Sequence, residues 1–286
     1  MSELFKLDRL SGTLCIKNAL EENELMVKKL AKLTKVLDGL SQDRIEKEKI
    51  NLDIAISESK GYTKKIIEHA SLLHNEYVSM VSSLSEEGKI TKNGLTKYFI
   101  QGWYHTSYTT RFEKMFTENL HKGELNDLDS QQNKFSKLNE HHIDEEEGHE
   151  LWALQDILFL DEKTEIDIFK DVFPETKAIV STQHDRLNRL PLVGFLGYSF
   201  YLELLIATQS FGLLTALNGV LGTTPSDHKF IYYHYLVDQG HAVDNIELLD
   251  RMICNEEDYK EVIDNMNLIH AMYSKLTERS FQDDQV

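Results

Sequence analysis

Apolar residues recur at three- and four-residue spacings along most of the chain, the period of a helix that buries one face. Leu25 to Leu40 (LMVKKLAKLTKVLDGL) shows it plainly. The same period predicts further helices over about 43–85, 92–121, 130–160, 164–187, 192–218, 227–252 and 257–278. Gly39, Gly88, Gly123, the Phe173-Pro174 and Leu190-Pro191 pairs, and Thr224-Pro225-Ser226-Asp227 supply the breaks. Seven or eight helices with short connections make an all-α bundle, and no longer repeat points to a solenoid. Residues 1–58 are more charged and hold no site-like cluster. They read as an N-terminal helical extension packed on, or pairing with, something else, with residues 59–286 as the main domain.

Composition narrows this picture. With 286 residues, 41% hydrophobic and 28% charged, the chain can bury a sizeable core. Three prolines and 14 glycines are too few turn residues for an all-β fold. The net charge of −17 repels polyanions, so nucleic acid and anionic membrane are poor partners. Two cysteines, Cys15 and Cys254, make neither a disulfide framework nor a Cys-based zinc site. The opening MSELFKLDRLSG has no apolar signal-peptide core. The expectation is a reduced, cytoplasmic protein. Between Leu190 and Ser226 the one charged residue is Glu203. Polar and small residues interrupt this stretch too often for a membrane span, and it reads as a buried central helix.

Two segments share one pattern of candidate chemistry: His142-Ile143-Asp144-Glu145-Glu146-Glu147-Gly148-His149 and His234-Tyr235-Leu236-Val237-Asp238-Gln239-Gly240-His241. Each reads His, three residues, a carboxylate, one residue, Gly, His. Composition alone predicts about 0.004 such occurrences in the chain. On a helix, positions i, i+4 and i+7 share one face, so each segment aims two imidazoles and a carboxylate the same way. Glycine beside the second His leaves room for a facing helix or a ligand. Mixed His and carboxylate donors suit iron or manganese, and carboxylate-plus-His helices are how bundles build dinuclear iron sites.

Glu203 completes the set, because an unpaired carboxylate in an apolar stretch is costly unless a divalent cation holds it. The candidate ligands are Glu146, His149, Glu203, His234, Asp238 and His241. Glu145 is the alternative to Glu146, and His142 is either a further ligand or a hydrogen-bonding partner of one. Taken singly, each has a plainer reading: a protonated Glu203 bonded to Tyr198, a solvated acidic run at 144–147, an ordinary helical His241.

From about Gly61 to the C-terminus, these segments, with Gly197-Tyr198-Ser199-Phe200-Tyr201-Leu202-Glu203 between them, resemble the heme-oxygenase-like diiron oxidases and oxygenases. The resemblance implies a bundle of about seven core helices, a homodimer, and two Fe(2+) per chain with O2 as cosubstrate. It further implies a peroxo-diferric oxidant acting on a small-molecule substrate by N-oxygenation or by oxidative C–C or C–H cleavage, with an external electron donor. A substrate chamber would be lined by Trp103, Tyr104 and His105, with Gln101 and Tyr108, from helix 92–121, and by Tyr198 and Tyr201. The acidic field favours a small amine or amino acid. Two other classes compete: a metal-independent enzyme of the same fold, like the thiaminase and pyrroloquinoline-quinone synthase relatives, and a non-catalytic helical protein that docks partners through residues 1–58.

Overall fold

The computed structural model describes residues 12–121, 140–160, 162–189 and 191–282. The predicted break at Gly123, the stretch 130–139 and Leu190 lie outside them. The helices are α1 (Ile16–Glu21), α2 (Glu24–Asp38), α3 (Gln42–Glu58), α4 (Gly61–Glu86), α5 (Lys92–Thr106), α6 (Thr109–His121), α7 (140–146), α8 (Glu150–Leu160), α9 (Ile168–Asp171), α10 (Pro174–Leu187), α11 (Leu196–Leu221), α12 (Lys229–Met252) and α13 (Glu256–Ser280). Side-chain caps start several of them. Asn23, Ser41, Thr91 and Asn255 each accept a hydrogen bond from backbone N–H groups of the first turn, which otherwise have no partner.

The all-α expectation holds, with one small ribbon added: Thr13–Cys15 pairs antiparallel with Glu165–Asp167. Four predicted helices are divided. The stretch 43–85 is two helices, because Ser59 is extended. The stretch 92–121 divides at Ser107 and Tyr108, and 130–160 divides at residues 147–149. The stretch 164–187 opens as a strand and one short helical turn, and α10 begins only at Pro174, whose missing N–H costs nothing at a first helical position. Amphipathic periodicity runs through these breaks because both flanking helices bury faces of one core.

Helix α11 packs along α12 and α13 and reaches α4, while α5 lies on α8 and α10. Gly197 lets α11 approach α13 closely, since a Cβ there would collide with the Val262 carbonyl. The segment Leu192–Leu221 is long and apolar enough to cross a membrane by length and composition. Its first half is buried, as Leu196, Phe200, Tyr201, Leu204 and Leu205 show. The second half departs from a wholly buried helix, with Phe211 and Val220 exposed.

Residues 12–58 form a layer on this chain's own core. Helix α3 packs on α12, and α1 packs on α8. Lys29 pairs with Glu147 at 3.1 Å, and Lys32 with Asp144 at 2.8 Å. The extension therefore covers the first of the two patterned segments.

The start of α12 is held by a buried carboxylate from α8. Asp156 accepts hydrogen bonds from the Lys229 and Phe230 amides at 2.9 and 2.8 Å, which satisfies two donors at the positive end of the helix. Asp156→Ala is expected to cost about 1–3 kcal/mol, the penalty for stranding buried donors. Asp156→Asn, which keeps one acceptor, should cost less. Chemical denaturation of the two variants checks this ordering.

Candidate metal centre

The second patterned segment lies within one continuous helix. His234, Asp238 and His241 of α12 are all buried, and Asn245 continues the same face one turn further. His234 Nδ1 donates to the Phe230 carbonyl at 2.6 Å. That bond fixes the tautomer and leaves Nε2 with its lone pair free, the arrangement of a metal-ligating histidine.

The first segment reaches the same place differently. Helix α7 ends at Glu146, residues 147–149 form a turn, and Gly148 takes φ of +105°. His149 therefore does not sit seven residues along a helix from His142, as the sequence predicts. It folds back so that its Nδ1 lies 2.9 Å from Glu146 Oε1. Gly148 is needed both for this backbone and for the approach of α2, because a Cβ would come within 3.3 Å of Lys29 and Leu33. Gly240 has no such duty: an added Cβ would meet only Glu48, at 3.9 Å.

The two segments converge. Glu146 Oε1 lies 3.2 Å from His241 Nδ1, which is also 3.2 Å from Asp238. The His149 and His234 rings are 4.9 Å apart, and the His142 and His241 rings 4.3 Å. Glu203 arrives from α11, 3.5 Å from His142 Nε2. It is oriented by Ser199 Oγ, which donates to it at 3.1 Å, and by the Asn245 amide. Three groups of donors lie within 4.8 Å of one another: His142, Glu203 and His241; Glu146, His149 and His234; and Glu146, Asp238 and His241. Every candidate ligand is in one of them, and His142 joins as a donor in its own right. Glu145 is in none. It is half-buried on the rim, 3.3 Å from His241 Nε2.

Sequence reasoning missed Glu113, Ser199 and Asn245. Glu113 of α6 is buried with its carboxyl 3.7 Å from His142 Nδ1. Its signal was present: an acid at a core position among Phe112, Phe116 and Leu120. Asn245 lies one turn beyond His241, on the ligand face.

These acids and imidazoles control one another's charge. Burial drives Glu203 well above the usual carboxylate range, opposed by His241 and reinforced by Asp238 and Glu146. Burial also drives Glu113 up, reinforced by Glu146 and Glu203. For Glu146, burial is outweighed by His149 and His241, which hold it well below that range. Burial opposes charge on His241, yet its bonds to Asp238, Glu145 and Glu146 push it well above the ordinary histidine value. Burial pulls His142 down to about 3, helped by His241, so it is neutral. Buried imidazoles beside buried carboxylates suit divalent cations of the iron–manganese class. His142 Nε2 has no hydrogen-bond partner, while His149 Nδ1 faces the Glu146 carboxylate at 2.9 Å.

A cavity of about 50 Å³ adjoins the cluster, bordered by His105, Tyr198, Glu203, His234, Phe230 and Tyr273 among others. His105 and Tyr198 thus stand where a substrate chamber was expected. Trp103 and Tyr104 do not border it: their rings pack edge to face, and Tyr104 meets Tyr108. Gln101 ties α5 to residues 171–176 through Asp171, Phe173 and Thr176. The Tyr201 hydroxyl bonds His270. Trp103 and Tyr104 leave α5 on other sides than His105, whereas Gln101 and Tyr201 lie one turn along from His105 and Tyr198 and are held by the bonds just named.

This arrangement belongs to a known class. The family model of iron-containing redox enzymes matches residues 95–274, and the chain belongs to that family. A domain of unknown function from Shewanella denitrificans OS217, with a heme oxygenase-like fold in its crystal structure, is similar at 22% identity. The match covers 75% of this chain and 91% of that one with a TM-score of 0.64, and it shows the fold. No curated protein matches the chain significantly.

Two outcomes are expected. Gly148→Ala should cost about 1–3 kcal/mol from the left-handed backbone it must adopt and should lower metal occupancy by displacing His149; a thermal melt and metal analysis read both. The second concerns pH. Metal-free His241 and Glu203 hold protons beyond their usual ranges, and ligation must remove them, so raising the pH removes the competitor. Affinity for Co(2+), followed by its visible absorption, should rise from about pH 5.5 to about pH 7.5. A flat profile would contradict this protonation pattern.

Proposed function

We propose that the chain is a non-heme diiron, O2-dependent oxidase or oxygenase acting on a small amine or amino acid. One observation supports the dinuclear reading above the others. The group His142, Glu203 and His241 and the group Glu146, His149 and His234 have no member in common, so two ions can be held at once. Asp238 lies with Glu146 and His241, one from each, and links them. When bound, the ferrous ions would supply electrons and open coordination positions to O2.

The chain's own residues supply placement. Phe230 orients the His234 ring, and Ser199 and Asn245 orient Glu203, so the donors are set before any ion arrives. Tyr198, Phe230 and Tyr273 give the cavity aromatic walls beside the candidate ligands. No Lys or Arg lines the cavity, which disfavours an anionic substrate and favours an amine.

Anaerobic titration with Fe(2+) should reach two ions per chain and, on exposure to O2, give a transient visible absorption. His142→Ala and His149→Ala should each lose about one ion, because each removes a donor from only one group. Glu146→Ala should lose more, as it serves two groups. Binding of one ion or none by the native chain would overturn the proposal. Turnover undiminished in strong chelator would favour the metal-independent alternative.

A further inference from the structure

We propose that the substrate is an amine with an apolar tail, the tail seated in a groove between α4 and α11 and the nitrogen held beside His105. The groove, of about 310 Å³, is lined mainly by apolar side chains, among them Val78 and Val81 of α4 and Leu205, Leu213 and Ala216 of α11. That volume and lining are those of a small-molecule site. Its inner end is formed by Ile206, Phe230 and Tyr273, and the same three residues wall the small cavity at the metal cluster. A cavity of about 50 Å³ holds a head group and little more. The larger space lies directly behind that shared wall, so a substrate that occupies both displaces the Ile206, Phe230 or Tyr273 side chain between them.

His105 says what the head must offer. It is 7% exposed, and neither ring nitrogen has a hydrogen-bond partner. Tyr273 does not satisfy it, since its hydroxyl bonds Tyr98 at 2.6 Å. A buried imidazole left this way is costly, and a ligand that hydrogen-bonds to one of its nitrogens removes part of that cost. No Lys or Arg lines either space, and the acids there are Glu86, Glu146, Glu203 and Asp238. An anionic head would find no protein cation there, whereas an amine is favoured by the field and hydrogen-bonds to imidazole. Only the fate of the nitrogen rests on the diiron reading; the groove and His105 stand without it.

The test is binding of n-butylamine, n-octylamine, n-octanol and n-octanoate to the full chain by calorimetry, metal-free and anaerobically loaded with Fe(2+). Each added methylene should tighten binding about fourfold, so octylamine should exceed butylamine on the order of 100-fold. Octylamine should also bind more tightly than octanol and octanoate. Gly212 lines the groove, and a Cβ there meets nothing within 4 Å. Gly212→Phe should therefore fill the groove and abolish the chain-length dependence while leaving the iron count unchanged, and Ala216→Phe repeats the test from the next turn. His105→Ala should remove the preference for amine over alcohol and keep the chain-length dependence. Equal affinity for butylamine and octylamine would overturn the tail, and equal or tighter binding of octanoate would overturn the amine head. Chain-length dependence in a protein that takes up no iron would leave the groove standing and refute the oxidase. Iron uptake without octylamine binding would do the reverse.

Discussion

Everything at the centre of this bundle depends on carboxylates and imidazoles forced together out of water, each answering the other's charge. Glu146 and Asp238 are 6% and 1% exposed, and Glu113 2%. In an apolar interior such charges are tolerable only if they are neutralised by protons, by histidinium, or by metal ions. The opposed shifts of Glu146, Glu203 and His241 express that constraint within the chain itself. A core of leucines would be cheaper, so the cluster marks the place where stability is given up for chemistry.

The layers around the cluster serve it in different ways. Helix α12 is a rigid rod, pinned at its start by Asp156, and it presents three donors from one face. The donors after α7 follow a turn at residues 147–149, against which Lys29 and Leu33 of α2 pack. Residues 12–58 thus secure one ligand segment from outside the matched family region. This gives the extension a structural duty on its own chain.

Helix α11 has two halves with separate tasks. Its buried first half delivers Glu203 and Tyr198 to the cluster, while its second half forms one side of an apolar groove. A helix apolar on nearly all sides is consistent with this division, because one half meets the core and the other a space suited to apolar groups.

Local spacing settled a good deal in advance. The i, i+4, i+7 pattern placed His234, Asp238 and His241 on one face, as a helix must, and a lone acid in an apolar run marked Glu203 as a residue with a buried partner. The all-helical class followed from periodicity, and the heme-oxygenase-like fold was implied by the resemblance of the ligand segments to a known family. What spacing could not show was anything decided by contacts between distant segments. Gly148 breaks the helix after Glu146 because α2 packs there, and Glu113 joins the site because α6 happens to face α7. Which aromatic residues border the cavity is set by how helices rotate against one another, a variable to which a repeating apolar pattern is nearly blind. Short-range geometry is written in adjacent residues, whereas the meeting of acids from four helices is a property of the packed core alone.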